Sequence, residues 1–151
     1  MIHCLHGAVG SFRAWETLSQ ELNESVNALD LWRLFDCSTP TLFEAGRIIS
    51  EGAEFGDLIL GYSMGGRLAL HALTAAPEKW RAAIIVSAHP GLVSGQQERR
   101  EEDREWASLS RGNWTSFLDQ WNRQDVLLSS PEEFHQADIK DQEMISKSFL
   151  H

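Results

Sequence analysis

The chain has 151 residues, 42% of them hydrophobic, and a formal charge of -9 at pH 7. That length can bury the core of one domain, and that hydrophobic share excludes a disordered chain. The acidic balance argues against a nucleic-acid binder, because no basic stripe is present to displace counterions from phosphates, but it leaves room for a small anion held by local arginines. No run approaches the ~20 apolar residues that span a bilayer, and Met1 to Gly7 carries neither a basic leader nor a long apolar region. The expected location is the cytoplasm, without membrane contact. The two cysteines, Cys4 in a predicted strand and Cys37 in a loop, read as reduced thiols rather than a bridge or a metal pair, and no metal site or cofactor is expected.

In chain order, Ile2 to Leu5 reads as a short buried strand, followed by a glycine loop from His6 to Gly10. Ser11 is placed to cap a helix in which Phe12, Trp15, Leu18 and Leu22 recur near helical spacing, with Arg13, Glu16, Gln20 and Glu21 turned outward. Val26 to Leu31 fits a second strand, and Trp32 to Pro40 reads as irregular. Thr41 and Glu44 have capping-box spacing and open a helix through Ile48 and Ile49 that stops near Gly52. Leu58, Ile59 and Leu60 then run into Gly61, Tyr62, Ser63, Met64 and Gly65, and an alanine- and leucine-rich helix continues to Ala76, ended by Pro77. Ala82 to Val86 is a further β run, bounded by His89, Pro90 and Gly91.

Gly61-x-Ser63-x-Gly65 between a strand and a helix is the pattern of a nucleophile elbow. So tight a turn puts the serine in strained backbone angles, and only glycines two residues either side let the helix cross the strand. The hydroxyl of Ser63 is pushed out at the carboxyl end of a sheet. The unpaired N–H of Met64, first in the helix, points at the same place and can stabilise an oxyanion.

Strands that alternate with helices and are apolar on both faces predict an α/β fold with a parallel sheet flanked by helices. Beyond Gly91 no β-rich run remains. Helical segments are predicted over Gln96 to Leu109, Trp114 to Trp121, Pro131 to Ala137 and Asp141 to Leu150. The chain thus divides into a core over residues 1–92 and a helical lid over residues 93–151, set after the third or fourth strand at the sheet's carboxyl edge, where open α/β sheets place ligands.

Leu5 to Gly10 together with Gly61 to Arg67 resemble the α/β-hydrolase superfamily. His89 to Leu92, the Arg-rich helix ending at Asp103 to Trp106, and Phe117 to Trp121 narrow the likeness to the 2-succinyl-6-hydroxy-2,4-cyclohexadiene-1-carboxylate synthase family, which eliminates pyruvate in menaquinone biosynthesis without a cofactor. The resemblance implies Ser63 as a proton-abstracting base, the amides of Ala8 and Met64 as the oxyanion hole, and Tyr62, Arg67, Arg99 and Trp121 as contacts of a polycarboxylate substrate. Arg100 stands almost level with Arg99. An arginine's planar fork suits a carboxylate, which makes Arg67 on the elbow helix chemically apt. The plainer readings are a surface i, i+4 contact for Arg67, a solvated face for Glu98 to Glu105, and lid core for Trp121. His89 reads as a loop-shaping residue, and His6 as a ring packed beneath the oxyanion turn and serving its backbone.

In the superfamily the triad acid and histidine follow the lid, and here the chain reaches His151 where the lid is expected to finish. His71, eight residues along the helix from Ser63, lies roughly 12 Å away at ~1.5 Å per residue, beyond reach. His135 falls in the lid pattern, and His151, preceded by Asp138 and Asp141, has no strand left to carry it back. The C-terminal part of the family domain is expected to be absent, the piece alone to be nearly inactive, and the exposed sheet edge to invite a homodimer. Two other functions stay open: a generic serine hydrolase or esterase using the same elbow, and a non-catalytic binding module or inactive fragment.

Overall fold

The computed structural model describes residues 1–35, 41–128 and 136–150. Four strands, β1 (Ile2–Leu5), β2 (Val26–Leu29), β3 (Asp57–Tyr62) and β4 (Trp80–Val86), form one parallel sheet in the order β2-β1-β3-β4. Because β1 sends the chain to one side and β3 lies on the other, the order reverses between β1 and β3. The loops leaving their carboxyl ends part there and open a crevice.

The first crossover begins with a tight 3-10 turn, Phe12–Trp15, and continues as α1 (Glu16–Glu21), so the single helix expected from Phe12 is split in two. Ser11 makes no side-chain cap bond, contrary to the expectation that it caps this segment. The second strand ends at Leu29, short of the expected Leu31. Leu31, expected in that strand, joins residues 32–34, expected to be irregular, in a one-turn helix, α2 (Leu31–Leu34), because the Asp30 side chain accepts the Arg33 N–H and starts it. α3 (Leu42–Glu51) opens on the capping box foreseen at Thr41 and Glu44, each side chain accepting the other's backbone N–H, and ends at Gly52. α4 (Met64–Ala75) follows β3 with only Ser63 between them. Cys37 lies outside the described residues, whereas Cys4 is a buried free thiol whose burial pushes its pKa up to about 11.

One face of the sheet packs on α3 and α4. Leu5, Ile59, Leu68, Ala69, Ala72, Ile49 and Trp80 form its core, and along β3 the buried residues alternate as a pleated strand requires. α3 and α4 cross so closely that a Cβ on Gly46 would lie 2.7 Å from the Ala72 nitrogen. The opposite face is less well covered than a doubly wound sheet predicts: Ala82, Ile84 and Val86 on β4 are exposed, Ile84 at 53%. β4 pairs only with β3 among the described residues, leaving its outer edge open.

After β4 the chain is helical, as expected, in α5 (Gln96–Arg111), α6 (Trp114–Asn122) and α7 (Gln142–Ser148). The helix foreseen from Pro131 falls largely outside the described residues, and 136–138 are not helical. These three helices share a second core of Ala107, Phe117, Ile145 and Phe149 that also takes in Val9 and Trp32. Met64 packs against both cores, so the elbow helix starts at the seam between them. No helix among the described residues is long and apolar enough to cross a membrane.

Candidate active site

Ser63 stands between β3 and α4 with φ 54° and ψ -117°, a conformation that side-chain-bearing residues seldom occupy. The glycines around it are there because of contact distance. A Cβ on Gly61 would fall 2.7 Å from the Gly66 Cα, and one on Gly65 would fall 2.7 Å from the His6 carbonyl oxygen, with other backbone atoms nearer still in both cases. The Ser63 N–H donates to the Val86 carbonyl at 2.9 Å, which ties the elbow to the end of β4. Its hydroxyl bonds to no described residue.

The loop after β1 is held from beneath by His6, which is fully buried. Its Nε2 accepts the Leu31 N–H at 3.2 Å, so the proton resides on Nδ1, which donates to the Gly7 carbonyl at 2.9 Å. Burial lowers its pKa to about 4, the Gly7 bond and Asp30 pulling only weakly the other way, so the ring is neutral at pH 7. The Trp32 indole donates to the Gly10 carbonyl at 2.9 Å and closes the other end of the loop. Gly7 lies against Tyr62 and Ser63, with its would-be Cβ 3.2 Å from the tyrosine ring and 3.5 Å from the serine Cβ. Neither the Ala8 nor the Met64 N–H has an acceptor among the described residues, and both residues border the same cavity as Ser63.

That cavity, about 190 Å³, is also walled by Arg67, Ser87, His89, Arg99, Asp103, Trp121 and Phe149. It adjoins an outer cleft of about 490 Å³ to which Gln96, Arg100 and Arg104 contribute, with Arg67, His89, Arg99, Asp103 and Phe149 common to both. Arg67 makes no ion pair among the described residues. The Arg99 Nε donates to Asp103 at 2.9 Å, which leaves its two terminal nitrogens free for a ligand. Arg99, which sequence placed slightly ahead of Arg100, borders both spaces, and Arg100 borders only the outer one. The indole N–H of Trp121 is buried without a partner among the described residues, while its ring meets Trp106 edge-on and lies tilted against Phe117 and Phe149. Trp121 therefore both packs on the second core and walls the cavity. Tyr62 borders neither space, its ring lying instead against Gly7.

Among the histidines, His71 lies within α4 where that helix crosses Gly46 of α3, and His135 and His151 lie outside the described residues. His89, read from sequence as a loop-shaping residue, borders both spaces. Sequence reasoning also passed over Ser87 and Asp103. For Ser87 a signal was available, since it directly follows a parallel strand, at the edge where such sheets gather ligands.

No family model matches the chain. Among curated proteins it is 30% identical over 151 positions to the putative 2-succinyl-6-hydroxy-2,4-cyclohexadiene-1-carboxylate synthase of Bacillus subtilis (strain 168), an alignment covering 91% of this chain and 54% of that protein. It is 30% identical to the synthase of that name from Pectobacterium atrosepticum, covering 82% of this chain and 53% of the other. The chain spans about half the length of the curated relatives it matches. Among solved structures, MenH from S. aureus superposes with a TM-score of 0.73 at 18% identity, over 99% of this chain and 64% of that one. An elbow serine at the switch point of a parallel sheet thus stands in a chain whose fold is that of MenH and whose sequence is similar to about half the length of these synthases.

Proposed function

We propose that this chain provides the reaction site of an α/β-hydrolase-fold lyase of the 2-succinyl-6-hydroxy-2,4-cyclohexadiene-1-carboxylate synthase type, eliminating pyruvate in menaquinone biosynthesis. Ser63 is the base that takes a proton from carbon. The electron pair left behind moves into the ring as the carbon–oxygen bond to the leaving group breaks, and the leaving group departs as an enolate that takes up a proton at its methylene carbon to become pyruvate. The Ala8 and Met64 amides stabilise the negative charge that develops on oxygen, and as fixed backbone dipoles they need no rearrangement to do so. Arg67 and Arg99 hold the substrate's carboxylates, Trp121 walls the pocket, and Tyr62 supports the elbow through Gly7. Residues 1–92 act as the catalytic core and 93–151 as the lid.

The observation that carries this reading is the strained Ser63 at the head of a cavity lined by two arginines of different elements. A serine hydroxyl is a feeble base at neutral pH without a partner, and no described histidine hydrogen-bonds this one. The 151-residue chain on its own is therefore expected to turn over slowly. The test is pyruvate release from the synthase's precursor: a slow release that disappears in Ser63→Ala supports the lyase. Strong labelling of Ser63 by a fluorophosphonate, with release no higher than in Ser63→Ala, identifies a serine hydrolase instead, because the same elbow serves covalent catalysis equally well.

A further inference from the structure

Besides Ser63, one other non-glycine among the described residues has a positive φ: Ser87, at 51°. Serine is not one of the residues that visit this region routinely; glycine, asparagine and aspartate are. The conformation is imposed from both sides. Just before it, the Val86 carbonyl accepts the Ser63 N–H at 2.9 Å, and just after it Ala88 is packed so tightly on the elbow helix that a Cβ on Gly66 would lie 2.6 Å from the Ala88 Cβ. The turn thus has no slack, and a glycine at this position would make it without strain. What the serine contributes and a glycine lacks is the hydroxyl. That hydroxyl bonds to no described residue, and Ser87 borders the inner cavity together with Ser63, Arg67 and Arg99.

We propose that Ser87 is a ligand-contacting residue, its hydroxyl donating a hydrogen bond to a carboxylate oxygen of the anion that Arg67 and Arg99 hold. The assignment rests on the polycarboxylate reading of the site. Two arginines supply charge but leave a carboxylate free to pivot between their forks. A short hydroxyl at the end of β4, rigidly joined to the elbow, adds a fixed third direction and sets which carbon faces Ser63.

The experiment is calorimetric titration of the 151-residue protein with 2-succinyl-6-hydroxy-2,4-cyclohexadiene-1-carboxylate, alongside Ser87→Gly, Ser87→Ala and Arg67→Met, with thermal melting of each variant. A lost hydrogen bond to a charged group predicts about tenfold weaker binding in both Ser87 variants. Ser87→Gly should melt no lower than the unsubstituted protein, since the glycine relieves the strain. Binding by Ser87→Gly at full strength overturns the proposal, whatever the alanine variant does, because the position would then matter only through its backbone. If Arg67→Met loses binding and Ser87→Gly does not, the polycarboxylate site stands and the Ser87 contact falls. If the unsubstituted protein takes up no ligand, both fall.

Discussion

His6 shows how a residue remote from the chemistry can shape it. Its ring is a neutral strut joining the start of α2 to the turn that presents the Ala8 amide, and both of its nitrogens are used. With a folded pKa of about 4 against an ordinary value of 6.5, the unfolded chain binds the proton more readily. The strut's contribution to stability is therefore complete above pH 6.5 and is lost as pH falls toward 4. Denaturation free energies measured across that interval should rise with pH, this group adding at most about 1.4 kcal/mol per pH unit. His6→Gln should flatten that part of the slope, and an unchanged slope in the variant would show that another group is responsible. The role of His6 was legible because a histidine inside a glycine loop after a strand has few other uses. Its second bond, to Leu31, was not, since that partner lies 25 positions away.

Among the elements, α3 shows how far local chemistry reaches. The reciprocal bonds of Thr41 and Glu44 satisfy donors that the first helical turn would otherwise leave open, and they use only residues three apart. The Glu44 carboxyl is held below its usual pKa by the Thr41 N–H and the Thr41 hydroxyl, both of which donate to it. Thr41→Ala should destabilise the protein by about 1 kcal/mol in chemical denaturation while leaving ligand binding unchanged. A loss well under that figure would mean that packing of α3 on α4 through Gly46 carries the helix start without help from the box. Where sequence periodicity failed, at Ser11 and at residues 31–34, the cause lies in the same local chemistry. The Asp30 carboxylate started a turn that apolar spacing does not register, and Ser11, an equally plausible cap, was not used.

The whole molecule is built on two apolar cores that meet at Met64. The second holds α5, α6 and α7 over the carboxyl end of the sheet, with Phe117 fully buried among Trp106, Trp114, Trp121 and Phe149. Truncating such a ring leaves a void, and Phe117→Ala should cost about 3–5 kcal/mol. Because Trp121 and Phe149 of this core wall the cavity together with Arg99 of α5, the variant should also weaken ligand binding more than Thr41→Ala does. Equal binding in the two variants, read by the same titration, would show that the cavity forms independently of its roof.

The elbow, the parallel strands and the capping box were readable in the chain because each is dictated within a few neighbouring residues: glycines where a Cβ would collide, apolar runs bounded by turns, a threonine and a glutamate three apart. The make-up of the cavity was not, because Ala8, Ser63, Ser87 and Arg99 belong to four segments that meet only when the strand order reverses between β1 and β3 and the second core draws α5 across the opening. Setting Arg99 rather than Arg100 on the inner cavity, bringing His89 into the wall and turning Tyr62 toward Gly7 all depend on distances between segments far apart in the chain, which no periodicity along it encodes.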